Sequence, residues 1–456
     1  MDTPLLIVQE EIAATAAPSK PLPELRRIKL SDVRFDQAFY PRKTHDPVLV
    51  QRYTGAIEEI EARSNFISVA ADMTLVDGRH RHLAYLKKYE GKADAEIPVF
   101  HYDVTEPADK FALAIELNST HGYQLSEEDK RRCVLDLYTR YHTNLTDIAR
   151  VVAVRMQRVL EWTKDAREEE TRRENETIFD MYLACYTMAE IGARVGVTKE
   201  TASEKVAVCQ KSFRGKISDK LASFAEDDWK PPIYNVWTFA AKTNAVSHFG
   251  NTEARIVDNL VYLYTEPYDI VVDPFAGGGA TIDVCKRRLR RYWVSDRKPI
   301  IERASEIEIR QLDIVTDLPP LSNRWSDVTL TYLDPPYWKQ AEGQYSTDAE
   351  DLANMPLDQF TEALAGVVRR IAAKQSKGVI ALIIQPTQWR TNGNHDVTDH
   401  VRDLLCETAK SRRLTLENRV SCPYSTEQHT PQMVEWAKAN KKLLVLTREL
   451  LIWRIN

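Results

Sequence analysis

Two short segments, each an apolar strand running straight into a backbone break, limit what this chain can fold into. The first is Ile270-Val-Val-Asp273-Pro274-Phe275-Ala-Gly277-Gly-Gly279-Ala-Thr281, where β-branched residues lead to an acid, a glycine turn and a helical stretch. The second is Val328-Thr-Leu-Thr-Tyr-Leu-Asp334-Pro335-Pro336-Tyr337, where two prolines end the strand and hold the next residues extended. Gly378-Val-Ile-Ala-Leu-Ile-Ile and Lys442-Leu-Leu-Val-Leu read as further strands between helices. Strands this uniformly apolar need cover on both faces, so an α/β fold around a doubly wound parallel sheet is expected. Ligands of such sheets sit at the carboxyl ends of the strands, which is where both breaks fall.

The chemistry of the two breaks differs. In the first, glycines let backbone approach a ligand closely. Gly279 is followed by Ala-Thr and not by Lys-Ser/Thr, so the loop is not a triphosphate cradle, and a nucleoside without polyphosphate fits better. Asp296 ends the next strand, Tyr292-Trp-Val-Ser-Asp296, where a carboxylate can take a ribose diol, and Asp313 ends the one after, where it can accept from an adenine amino group. Taken singly, either acid can equally be a helix cap. In the second break, the Asp334 carboxylate and Pro335 carbonyl can converge on one NH2 group and leave its lone pair directed outward. The Tyr337 ring beside them can stack on a base flipped out of a duplex. The bland alternative is a proline turn with a capping acid. The two breaks stand 55 positions apart, Gly279 to Asp334, with acids at the strand ends between them.

From about Trp237 to Asn456 the chain resembles the amino-methyltransferases of DNA. The resemblance implies a Rossmann-like seven-stranded domain with S-adenosylmethionine held by Asp273, Pro274, Phe275, Gly277, Gly279, Asp296 and Asp313. Asp334, Pro335, Pro336 and Tyr337 would engage the target base. His248 to Asp258 is similar to the segment that closes over the methionine end of the cofactor. The implied reaction is direct in-line transfer of methyl to an exocyclic amino group, with adenine N6 favoured and cytosine N4 the alternative. No cysteine stands in a Pro-Cys motif, which argues against methylation of a ring carbon. The 55-position gap leaves no room for the recognition insert that many relatives carry, so site choice is expected elsewhere in the chain. Cys422-Pro-Tyr-Ser-Thr-Glu-Gln-His-Thr-Pro reads as a polar loop that either contacts substrate or is plain surface.

The front half carries a second resemblance. Val76-Asp-Gly78-Arg79-His80-Arg81-His82-Leu83-Ala and Glu116-Leu-Asn-Ser-Thr-His121-Gly-Tyr-Gln-Leu-Ser-Glu-Glu-Asp-Lys-Arg-Arg are similar to segments of ParB-like domains, which share a fold with sulfiredoxin. His80 and Leu83 stand where the CTP-hydrolysing members have arginine, so the motif reads equally as a phosphate site or as pure structure. Two helix-turn-helix patterns follow. Leu145 to Trp162 would present Arg155 and Arg158 to a DNA groove, and Thr187 to Ser203 would present Thr198, Lys199 and Thr201.

Composition bounds the rest. At 456 residues with 28% charged residues, the chain is long enough for two or three soluble domains. A net charge of −5 gives no global nucleic-acid signature, and the six scattered cysteines form no CxxC pair, so no metal site is expected. The expected parts are a flexible leader (1–24), a ParB-like α+β domain (25–105), a helical helix-turn-helix region (106–226) and a methyltransferase domain (230–456), with a polar break at 227–232. The partner expected is double-stranded DNA and not a membrane, in the cytoplasm. A homodimer and a restriction-modification setting stay open. A competing reading is a ParB-like partition or transcription regulator with an idle methyltransferase domain.

Overall fold

The computed structural model describes residues 22–92, 94–120, 125–214, 224, 229–239, 252–298, 309–343, 346–391, 394–424 and 429–456, with backbone alone at 120 and 388–398. Most of the expected leader, 121–124 of the second ParB-like segment, 248–251 of the closing segment, 227–228 of the expected break and 425–428 of the polar loop lie outside the described residues. The chain divides into two compact units, 1–174 and 175–456.

In the first unit, β1 (Glu24–Lys29), β2 (Ile67–Val69), β3 (Leu75–Asp77) and β4 (Glu96–His101) form a sheet in the order β1-β4-β2-β3. α1 (Pro47–Gly55) and α2 (Ile57–Ala62) precede β2, and α3 (Arg79–Lys88) follows β3. Apolar residues of β2, β3 and β4 (Ile67, Leu75, Ile97, Val99) bury against Ile57, Ala84 and Tyr85 of the helices. Gly78 turns the chain into α3 at φ +91°, where a Cβ would meet the Ile67 side chain at 3.0 Å. The arginines that follow serve this fold. Arg81 bridges to Asp77 at 2.8 Å and donates to the Phe66 carbonyl at 2.7 Å, while Arg79 lies 3.5 Å over the Phe35 ring. The helix's first amide, that of Arg79, donates to the Tyr40 hydroxyl at 3.1 Å.

Four helices follow: α4 (Pro107–Thr120), α5 (Glu127–Thr139), α6 (Leu145–Val151) and α7 (Met156–Trp162). Phe111, Ile115, Cys133, Val134, Ile148 and Val159 join them in one core. α8 (Lys164–Leu183) contains the division between the units at 174/175, which therefore does not coincide with the expected break at 227–232.

The second unit begins with the end of α8, then α9 (Met188–Val195) and α10 (Lys199–Ser212), and continues through α11 (Ala254–Tyr264), β5 (Ile270–Asp273), α12 (Ala280–Arg288), β6 (Arg291–Asp296), β7 (Ile309–Gln311) and β8 (Val328–Leu333). It then runs through α13 (Leu357–Lys374), β9 (Val379–Ile384), a hairpin of β10 (Thr387–Thr391) and β11 (Asn394–Thr398), α14 (His400–Thr408), β12 (Leu414–Pro423), α15 (Pro431–Asn440) and β13 (Thr447–Ile455). Seven strands form one sheet in the order β12-β13-β9-β8-β5-β6-β7. The five from β9 to β7 are mutually parallel, and β13 runs antiparallel to both of its neighbours.

Successive residues of a strand face opposite sides of a sheet. Val271 accordingly packs with Ile178, Phe179, Ile191, Ala202 and Val206 of α8 to α10, while Ile270 and Val272 pack on the other face with Phe360, Leu364 and Val368 of α13. The second helix-turn-helix candidate is thus part of the large sheet's own core. Gly378 enters β9 at φ +81°, where a Cβ would stand 2.0 Å from the Thr329 carbonyl of β8.

One expected strand is corrected. Residues 442–446 are not a strand: Lys441 leaves α15 in a left-handed conformation (φ +54°), Leu443 is exposed, and pairing begins only at Thr447. The Leu-Leu-Val-Leu run was apolar enough for a strand, but the slot between β12 and β9 is filled by Leu450, Leu451, Ile452 and Trp453, which are buried on both faces. The β10–β11 hairpin had no counterpart in the sequence reading.

Candidate functional site

The strand order reverses between β5 and β8: from β5 the chain builds outward through β6 and β7, and from β8 it builds the other way through β9. Helices crossing to opposite faces leave a crevice at that switch, outside the carboxyl ends of the strands. A cavity of about 340 Å³ occupies it, within the range of small-ligand sites. Asp273, Pro274, Phe275 and Gly277 line it, together with Asp296, Asp313, Asp334 and Pro336. Strand ends far apart in the chain therefore meet around one space. Gly279, Pro335 and Tyr337 belong to the same loops but are not among the lining residues.

The loop after β5 is organised by its own acid. Asp273 accepts from the Phe275 amide at 3.0 Å and from the Thr281 hydroxyl at 2.5 Å, so both carboxylate oxygens hold the turn together. Gly277 and Gly279 both take positive φ, +46° and +77°, and Gly279 leads into α12. The Gly277 amide donates to Asp296 at 3.0 Å, which ties the first loop to the end of β6. Asp313 caps its own turn through the Val315 amide at 2.9 Å and pairs with Arg297 at 3.3 Å. Arg297 also bridges to Asp348, 3.3 Å away, in a segment whose neighbours Glu350, Asp351 and Leu352 line the cavity.

Burial pushes the Asp273 carboxyl up to about 7 and Asp334 up to about 6; in both cases lost hydration is the largest cause. Asp273 is raised further by the charges of Asp334 and Asp296. Asp334 is partly offset by the Thr252 hydroxyl and the Arg448 guanidinium. Burial also pushes the Tyr337 hydroxyl far up, so it stays neutral. Thr252 bonds both Asp334 and Tyr337 and so fixes the two relative to each other.

Three residues that the sequence reading did not single out complete this end of the site. Glu253 is buried and lines the cavity; one oxygen pairs with Arg448 of β13 at 2.6 Å, and the other, Oε1, has no partner among the described residues. Arg448 also lies 4.4 Å from the Tyr424 ring, just past β12. An unpartnered carboxylate oxygen in a closed space invites a cationic or N–H-bearing ligand. The lining carboxylates, Asp296, Asp313, Asp334 and Glu253 among them, suit a positively charged nucleoside better than a phosphate. S-adenosylmethionine, which carries a sulfonium and an ammonium, fits this donor set.

The residues expected to touch DNA are partly engaged in local structure. Arg158 pairs with Glu127 and Glu161, both at 3.3 Å. Arg155 leads into α7, is exposed, and makes no ion pair among the described residues. Thr198 caps α10 by accepting from the Thr201 amide at 3.1 Å, and the two hydroxyls lie 3.0 Å apart. Lys199 is exposed. Gly192 packs α9 against the turn into α10; a Cβ there would stand 2.6 Å from the Val197 carbonyl.

Residues 130–306 match the family model of an N6/N4 methyltransferase described as DNA methylase. The match takes in the loop after β5 and the end of β6, and it stops short of Asp334. No curated protein matches the chain. Among solved structures, the chromosome-partitioning protein ParB from Caulobacter crescentus, complexed with CTP-gamma-S, is 15% identical over 30% of this chain and 76% of that one, with a TM-score of 0.19. The 1,6-didemethyltoxoflavin-N1-methyltransferase of Burkholderia thailandensis, with S-adenosylhomocysteine bound, is 11% identical over 44% of this chain and 76% of that one, with a TM-score of 0.28. A SAM-dependent methyltransferase from Archaeoglobus fulgidus is 11% identical, covers 44% and 94%, and has a TM-score of 0.25.

Proposed function

We propose that this S-adenosylmethionine-dependent methylase acts on double-stranded DNA and methylates an exocyclic base amino group, adenine N6 in the first place. The observation that carries this reading is that Asp334 and Pro336 line the same cavity as Asp273, Asp296 and Asp313. A donor in that cavity and an acceptor at the proline turn would lie within reach of one another.

Within this reading, Asp296 takes the ribose hydroxyls, Asp313 the adenine amino group of the donor, and Phe275 and Gly277 shape the wall. The loop acid Asp273 acts through the turn it holds together. Glu253 Oε1 receives a donor N–H or faces positive charge. The donor supplies a methyl group activated by positively charged sulfur. Asp334 and the Pro335 carbonyl accept the two N–H bonds of the target amino group, and Tyr337 stacks on the flipped base. With the donor bound, the methyl group would pass from sulfur to this nitrogen, leaving the neutral thioether, and the proton the nitrogen gives up would pass to Asp334, which accepts that N–H. Orientation of two bound reactants, rather than a covalent enzyme intermediate, supplies most of the acceleration.

The first unit, a ParB-like sheet followed by helices, is the proposed reader of the site. Arg155 is its most available basic contact, with Arg158 beside it; Thr198, Lys199 and Thr201, in the second unit, are further candidates. A seven-stranded Rossmann-like sheet, with one antiparallel strand, is the fold on which this chemistry is proposed.

Labelled donor incubated with duplex DNA should transfer methyl to a base. Asp334→Ala should lower transfer at least about a thousandfold while leaving donor affinity nearly unchanged. A variant that retains transfer would overturn the mechanism. Sequencing that separates N6-methyladenine from N4-methylcytosine identifies the target, and cytosine is the alternative outcome.

A further inference from the structure

Gln385 follows the last residue of β9 and is 5% exposed. β8 and β9 are parallel with Leu333 opposite Leu382, so the same register carries Gln385 alongside Pro336 of the proline turn. Two bonds bind this segment to the residues after Tyr337: the Thr387 hydroxyl donates to the Trp338 carbonyl at 2.6 Å, and the Gln340 amide donates to the Pro386 carbonyl at 3.5 Å. Tyr424 donates its hydroxyl to Gln385 Oε1 at 2.6 Å. In that orientation the NH2 group is the end left over. Among the described residues, Gln385 Nε2 makes no hydrogen bond. The side chain is held in the fold while its NH2 group has no protein partner among the described residues, so that group is free to donate to a ligand.

We infer that Gln385 is a specificity-determining residue for the target base, donating its NH2 to the ring nitrogen beside the amino group held by Asp334. This rests on the reading of the site as a base methylase. Adenine offers N1 next to its 6-amino group, and cytosine offers N3 next to its 4-amino group; both are acceptors. A target without an acceptor nitrogen at that position loses the contact, which the carboxylate and prolyl carbonyl alone do not test. Tyr424 is the positioning residue that holds the carboxamide.

The test is a double-mutant cycle on duplex DNA carrying the methylated site, with the target adenine replaced by 1-deazaadenine, or a target cytosine by 3-deazacytosine. Wild type should lose roughly tenfold to a hundredfold in kcat/KM on the deaza substrate beyond the base's intrinsic change. Gln385→Leu should lose about as much on natural DNA and show no such extra loss on the deaza base, with donor affinity unchanged. Gln385→Glu, of the same shape, provides a second cycle where the leucine variant is unstable. Tyr424→Phe should give an intermediate penalty. Equal deaza penalties in wild type and both Gln385 variants would overturn the inference while leaving the methylase reading intact. A wild type that methylates no base amino group overturns the methylase reading first, and this inference with it.

Discussion

Single residues show which parts of the site could be read from sequence. Asp273, Asp296 and Asp334 each stand at the end of an apolar strand, a local pattern, and Asp313 lies just past the short β7; all four line one cavity. Glu253, Arg448, Tyr424 and Gln385 carry no such local mark. Glu253 and Arg448 are 195 positions apart and become partners only when β13 is in the sheet. Sequence also gave no hint that Asp273 spends its oxygens on its own loop. That burial has a measurable consequence. The carboxyl stands at about 7 in the folded protein against an ordinary 3.8. The folded state therefore favours the neutral acid, and the stability this gives is complete below the ordinary value and lost as pH rises through about 7. Asp273→Asn has no proton to lose, so its melting temperature relative to wild type should climb between about pH 4 and about pH 7 and level off above. A pH-independent difference would show that Asp273 is already ionised in the fold.

At the scale of elements, the β-branched strands of the parallel half were legible because both of their faces are buried. Ile270–Asp273 and Val328–Leu333 carry no polar side to suggest anything else. The antiparallel β13 was not, since its place between β9 and β12 depends on pairings such as Leu414 with Ile455 and Val379 with Arg454, far apart in the chain. The packing of α11 on α12 is also set by a charge that periodicity does not show. Asp258, fully buried, accepts from Arg288 at 2.9 Å and from Arg287 at 2.9 Å. Removing one partner of a buried pair leaves the other charge without its counterion. Asp258→Ala should therefore destabilise the second unit by roughly 3–5 kcal/mol, read by denaturant unfolding. A loss below about 1 kcal/mol would place the pair in contact with water.

The whole molecule divides into two compact units within a helix, at 174/175. The polar, proline-bearing stretch near 230 has the look of a linker, yet Phe179, Ile191, Ala202 and Val206 lie in the same core as Val271, Val294 and Leu330. Residues 175–456 should therefore fold cooperatively, whereas 230–456 should melt at much lower temperature or stay insoluble; equal stability of the two would return the boundary to 230. This also alters how the second helix-turn-helix pattern reads, since its apolar face is committed to the sheet before any DNA is met. β13 has a last consequence, for synthesis on the ribosome. It is the latest strand in the chain, and it lies in the interior of the sheet and carries the arginine that holds Glu253. Until it emerges, β9 and β12 have no partner between them, and Glu253 has no counterion. A chain lacking residues 447–456 would bear every strand-end acid of the cavity and still leave Glu253 without its counterion.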